Sequence, residues 1–162
     1  MDPMNSQEWY VTAALGQLPL AVAAMRGSAA YPQIRGFVRL YDTPYGTLVC
    51  AELTGLPEKE GCGIFGLHIH ETGDCAEGDG PAFAGAGAHY NPTASPHPCH
   101  AGDLPPLFSV RGYGLSICLT DRFRAAEVMG RSVILHERPD DFTTQPAGNA
   151  GDRIACGIFR RW

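Results

Sequence analysis

All six histidines of this chain fall between residues 68 and 136, at His68, His70, His89, His97, His100 and His136, and Asp103 lies among them. Imidazole is a lone-pair donor suited to copper, zinc and iron, so a set of this kind points first to metal chemistry. His68 and His70 sit in Gly66-Leu67-His68-Ile69-His70. Two apart on an extended strand, they face one way while Leu67 and Ile69 face the other, which puts half of a metal site on one rigid element. Such a pair alone is more often two surface residues than two ligands. Seven donors change that balance, because seven is what two four-coordinate sites need if they share one imidazole. An all-nitrogen set favours copper, whereas three imidazoles and a carboxylate in a closed tetrahedron favour zinc.

The elements that must position these donors read as strands. Twenty glycines and thirteen prolines in 162 residues lie between short apolar and β-branched runs, which favours turns over long helices. One domain is expected at this length. Residues 20–26 read as a first strand. Ile34, Gly36, Val38 and Leu40 then alternate with Arg35, Phe37, Arg39 and Tyr41, giving an apolar and a mixed face. Residues 47–53 alternate again, with Val49, Ala51 and Leu53 on one side. Residues 63–71 carry the histidine pair, and residues 114–120 are expected to turn Leu115, Ile117 and Leu119 inward. Residues 132–137 and 153–160 complete the set. About eight strands and no convincing helix predict an all-β fold, a Greek-key sandwich or flattened barrel. Residues 72–106 are a long Gly- and Pro-dense stretch without an element of its own, and metal binding with a disulfide would give such a loop its reason.

Charge and hydropathy narrow the partners. A net charge of −5 with no basic run gives nothing to recruit nucleic acid. No apolar run reaches the roughly 18 residues of a membrane span. Residues 10–25 end in Ala21-Val22-Ala23-Ala24 and could pass for an export signal, but no Lys or Arg precedes Arg26, and Gln17 and Pro19 interrupt the run. The reading adopted is an arm over residues 1–19, a domain over 20–162 and a cytoplasmic location, with export as the alternative.

Five separated segments carry a resemblance. Gly66-Leu67-His68-Ile69-His70-Glu71, Gly87-Ala88-His89-Tyr90-Asn91-Pro92, His100-Ala101-Gly102-Asp103-Leu104, the stretch from Gly130 through His136-Glu137, and Gly148-Asn149-Ala150-Gly151-Asp152-Arg153-Ile154-Ala155-Cys156-Gly157 resemble, in order, the motifs of copper/zinc superoxide dismutases. The resemblance runs from about Leu20 to the C-terminus. It implies an eight-stranded, immunoglobulin-like sandwich with long metal-binding loops. It implies copper held by His68, His70, His89 and His136, and zinc held by His89, His97, His100 and Asp103. His89 would bridge the two ions and serve as proton source while copper cycles between two superoxide anions. Arg153 would attract that anion at the channel mouth, Asp140 would link a copper-set ring to a zinc-set ring, and Cys75 and Cys156 would form a disulfide. A homodimer is a further implication.

Departures from the family pattern are equally readable. His97 and His100 are only three positions apart, a considerably shortened zinc loop. Three residues can still span ~10 Å, but the path must differ, and Cys99 could replace His97 as a ligand. Cys50, Cys62 and Cys118 have no role in the resemblance. They read as free strand residues, with a Cys50 to Cys62 bridge as the alternative. The segment between His136 and Arg153 is short and lacks the acidic and lysine residues that in relatives shape the field around the channel, so Arg153 is the one cation clearly placed to offset an acidic surface. A copper-binding protein without turnover, or a copper-only enzyme, are the competing readings of the same residues.

Overall fold

The computed structural model describes residues 10–58 and 63–162. Eight strands form where the period-two pattern predicts strands, with one addition: β1 (Ala21–Gly27), β2 (Arg35–Thr43), β3 (Gly46–Thr54), β4 (Gly63–Ile69), β5 (Asp103–Val110), β6 (Tyr113–Thr120), β7 (Ser132–His136) and β8 (Arg153–Arg161). They close into an antiparallel barrel in the order β1-β2-β3-β6-β5-β4-β7-β8. The two crossings, β3 to β6 and β4 to β7, give the Greek key.

The expected inner faces of β2 and β3 are the observed ones. Val38, Leu40, Ala51 and Leu53 are fully buried and join Met25, Phe65, Leu107 and Phe159 in one central core. β4 and β7 are buried along almost their whole length, which is why both histidine-bearing strands are rigid.

β6 corrects the expected phase. Leu115, Ile117 and Leu119 point outward and are about half exposed, while Gly114 is buried and Cys118 packs on the core. The period of two holds and the face is reversed. The barrel interior beside β6 is already filled from its neighbours: a Cβ at Gly114 would stand 2.6 Å from both Leu107 and Leu56. Only small side chains fit inside, so the large ones go out. With Phe108, Val110 and Tyr113 they make an apolar face over β5 and β6.

β5 is the strand that the sequence conceals, because Pro105 and Pro106 fall within it. The β4 ladder shifts register between Phe65 and Leu67, opposite these prolines, and β6 pairs only with Phe108, Ser109 and Val110. Neither edge requires the missing N–H groups.

Part of the expected arm is a short helix, α1 (Tyr10–Leu15). Its Ala14 packs on Tyr41, Leu48 and Cys50, on the outside of β2 and β3, and the Tyr10 ring meets Tyr45 edge-on at 5.4 Å. That cover buries Cys50 and pushes its thiol pKa up. Cys50 and Cys118 are both free, whereas Cys62, the alternative partner for Cys50, lies outside the described residues.

Candidate metal centre

β4 delivers His68, with His70 directly after its end, and β7 delivers His136 at its own end, one strand away, since Leu67 pairs with Leu135 and His68 with Ile134. His89 comes from the long loop and is fixed by a single β-bridge to His70. The donor atoms of His68, His70, His89 and His136 all lie within 4.8 Å of one another, and so do those of His89, His97, His100 and Asp103. His89 belongs to both groups. Cys99 is exposed and belongs to neither, while His97 is buried inside the second.

Each ring is aimed by the nitrogen it does not offer. His70 Nδ1 donates to the Gly87 carbonyl at 3.0 Å and His136 Nδ1 to the Gly151 carbonyl at 3.3 Å. Their Nε2 atoms must then both carry lone pairs, yet they stand 3.3 Å apart. Two lone pairs at that distance repel unless a cation lies between them. His68 Nε2 donates to Asp140 Oδ2 at 2.7 Å and His97 Nε2 to Asp140 Oδ1 at 2.9 Å, so one carboxylate orients a ring from each group. Second contacts of this kind fix both tautomer and direction. Gly148, at φ +66°, passes so close that a Cβ there would strike Asp140 Oδ1 and His97 Nε2. Only glycine leaves that pair intact.

Four ring nitrogens are left over. His68 Nδ1, His89 Nε2, His97 Nδ1 and His100 Nδ1 are buried and have no hydrogen-bond partner among the described residues. His97 Nδ1 and His100 Nδ1 approach Asp103 Oδ2 at 3.0 and 3.3 Å, but neither is aligned to donate to it. One such orphan costs on the order of 1–3 kcal/mol, and four converging ones fit cations, two from each group. Electrostatics agrees. Burial pushes the pKa of His68 down to about 4, of His136 to about 3 and of His70 to about 2, so these rings are neutral lone-pair donors at neutral pH. Burial pushes the Asp140 and Asp103 carboxyls the other way. Hydrogen bonds outweigh it, from His68, the Phe142 N–H and His97 for Asp140, and from His89 and the His100 N–H for Asp103, so both stay ionised.

Arg153 leads β8 beside this cluster. Its Nη1 donates to the Phe83 carbonyl and its Nη2 to the Gly87 carbonyl, each at 2.6 Å. The Gly87 oxygen is the one that also orients His70. A disulfide joins Cys75 to Cys156 on β8, and Phe83 and Ala86 pack on Ile134 beneath it. The loop carrying His89 is thereby tied to the strand carrying Arg153.

A copper/zinc superoxide dismutase (SODC) family model matches residues 34–159. The chain belongs to the copper/zinc superoxide dismutase family. It is 36% identical over 146 residues to a Cu-Zn superoxide dismutase of Deinococcus radiodurans, covering 79% of this chain and 78% of that one. A Cu-Zn superoxide dismutase of Caulobacter vibrioides is 34% identical over 148 residues, covering 77% of this chain and 78% of the relative. The solved structure of the Cu/Zn superoxide dismutase from Brucella abortus superposes with a TM-score of 0.71 at 27% identity, over 85% of this chain and 98% of that one. The protein is an oxidoreductase, a superoxide dismutase that uses copper and zinc. Superoxide, a small anion, is its substrate.

Three polar side chains at this dismutase centre escape the sequence reading. Gln145 Nε2 donates to the His97 carbonyl at 2.6 Å and its Oε1 accepts from the His97 N–H at 3.1 Å. Arg122 Nη1 donates to the carbonyls of Pro98, His100 and Asp103 at 3.0, 3.2 and 3.5 Å. Arg138 reaches Asn149 Oδ1 at 3.3 Å and lies along Gly151, whose carbonyl orients His136. None sits in a motif whose spacing suggests such a role.

Proposed function

We propose that His68, His70, His89 and His136 hold the copper of this superoxide dismutase, that His89, His97, His100 and Asp103 hold its zinc, and that His89 and Arg153 are the catalytic residues. The observation that carries this reading is the set of four partnerless buried ring nitrogens, His68 Nδ1 and His89 Nε2 in the first group, His97 Nδ1 and His100 Nδ1 in the second. When bound, copper supplies the one-electron couple that oxidises one superoxide to oxygen and reduces the next to peroxide, and zinc supplies a fixed positive charge.

The protein does the rest. Arg153 spends one N–H on each of two carbonyls, which locks the guanidinium plane and leaves its other N–H groups to bind a small anion. His89 is the ring common to both groups, with Nε2 on the first side and Nδ1 2.7 Å from Asp103 on the second. Its Nε2 takes up a proton and hands it to the reduced substrate, the exchange to which imidazole is suited near neutral pH. Asp140 keeps His68 and His97 aimed throughout.

Metal content and superoxide decay, measured on protein refolded with both metals before and after His89→Ala, test the assignment. The wild type should hold two ions per chain and turn over. The variant should lose roughly 10²–10⁴ in rate, the scale of a lost general acid. A His89→Ala protein with both ions and full activity would end the reading.

The homodimer is part of the same proposal. The β5 and β6 face carries Phe108, Val110, Tyr113, Leu115, Ile117 and Leu119, with Glu52 of β3 at its margin against the Tyr113 hydroxyl, so its apolar centre can oppose its own copy. Sedimentation should give a dimer for the wild type and a monomer for Ile117→Glu. Two monomers would remove this face as the interface.

A further inference from the structure

The residues between His97 and His100 are too few to satisfy their own backbone. Pro98 has no N–H to give, the Cys99 N–H turns back to Pro96, and within the loop the Asp103 N–H reaches the His100 carbonyl only at 3.2 Å. The carbonyls of Pro98, His100 and Asp103 instead converge on one side, where their negative ends face one another. A single atom from another part of the barrel sits among them, Arg122 Nη1, just past the end of β6. Nη1 carries two hydrogens, so the Pro98 and His100 oxygens take the strong contacts and Asp103 the weak one. Arg122 is itself placed twice: its N–H donates to Thr120 Oγ1 at 3.2 Å, and Phe123 beside it is buried in the core.

The preceding step of the loop is held in the same way. Gln145 pairs with both backbone groups of His97, as a neighbouring strand would. Every backbone carbonyl of a residue that brings a second-group donor from this short loop, at His97, His100 and Asp103, is thus held by a side chain from elsewhere in the chain. Both residues are exposed, and these hydrogen bonds go to backbone groups rather than to donor atoms.

We infer that Arg122 and Gln145 are positioning residues for the zinc site: they substitute for the residues the shortened loop lacks and pre-form the convergence of His97, His100 and Asp103. The inference rests on the zinc assignment above. Backbone held in this way keeps its donors together before the ion arrives, so the braces act on zinc affinity and leave copper affinity alone. Charge alone predicts the opposite sign, since a guanidinium near a cation site repels the ion, and removing it would tighten binding.

The test uses the full chain loaded with zinc alone, copper alone and cobalt(II) alone. Zinc and copper affinities come from chelator competition, zinc-site geometry from the cobalt visible spectrum, and fold from the melting temperature of the metal-free protein. Arg122→Ala should lower zinc affinity by about 10- to 100-fold, the usual scale for a group that orients ligands, and shift the cobalt bands. Gln145→Ala should lower it less. Arg122→Lys, which keeps a point donor within reach of the same oxygens, should recover most of the loss. Copper affinity and the metal-free melting temperature should stay at wild-type values. Unchanged or tighter zinc binding in Arg122→Ala overturns the inference, as does an equal loss of both metals with a lowered melting temperature. A wild type that binds no zinc overturns the site assignment itself, which separates the two failures.

Discussion

The two halves of this metal centre are built by different means. Two of the four first-group histidines, His68 and His136, stand on β4 and β7, and His70 directly follows β4, so the pairing of these adjacent strands sets their spacing before any side chain is considered. All four second-group donors lie between residues 89 and 103, on irregular chain apart from Asp103 at the start of β5, and side chains from outside that stretch hold it: Asp140, Gln145 and Arg122. A ladder distributes its load over many backbone bonds, whereas a brace concentrates it in one side chain. The first half should therefore tolerate single changes around it, and the second should depend on a few residues that never touch the ion.

The largest expected effect breaks the first half from outside. Cys75→Ser removes the bond between the long loop and β8, which closes a span of 81 residues, and should cost about 2–5 kcal/mol of global stability. Phe83 and Gly87, whose carbonyls hold Arg153, are on the freed loop, so activity should fall further than copper content does. Zinc content of the folded protein should be unchanged. Guanidinium unfolding with metal counts on the folded fraction checks this, and zinc lost in step with activity would mean that the halves are not separable.

The next effect is smaller and acts on the carboxylate that orients one ring in each half. Asp140→Ala frees His68 and His97 together, and loss of such an orienting carboxylate lowers metal affinity by about 10- to 100-fold. The two metals should not suffer equally. His68 keeps its place in the β4 ladder, whereas His97 keeps only its backbone clasp to Gln145. Zinc affinity should fall more than copper affinity, and equal losses would erase the distinction between ladder and brace.

That distinction also explains what could be read from the chain. The first half was legible because a strand writes its geometry into a period of two: His68 and His70 announce a shared face, and the five separated motifs carry the rest. The barrel was legible for the same reason, up to two points. β5 hid behind Pro105 and Pro106, tolerated only because a register shift and a missing partner spare their absent N–H groups. The face of β6 was read inside out, since alternation gives a period but not a phase, and the phase was settled by Leu107 and Leu56 from other elements. The second half was least legible. Arg122 and Gln145 act through backbone carbonyls about 20 to 50 positions away in the chain, and nothing in their local sequence records that.

The smallest effect per ionisable group is acid sensitivity of the metal-free protein, and it belongs to named first-half rings. Burial holds His68, His70 and His136 below the ordinary imidazole value of 6.5 in the folded state. An unfolded chain takes up those protons near pH 6.5 and the folded chain does not, so stability is level above that pH and declines below it. Each ring contributes less than about 1.4 kcal/mol per pH unit, until the pH reaches its own folded value. Asp140 and Asp103 also lose stability as the pH falls, but in a different window: their depressed pKa values add stability that is lost once the pH drops below about 3.8. Loss between pH 6.5 and 4.5 is therefore a histidine effect. Urea midpoints of metal-free protein across that range should fall steadily, and His136→Gln, which removes one ring from the count, should flatten the slope by about a third. A midpoint that holds level down to pH 4.5 would mean that these rings are not buried neutral before the metals bind, and that the ladder does not pre-form the first half.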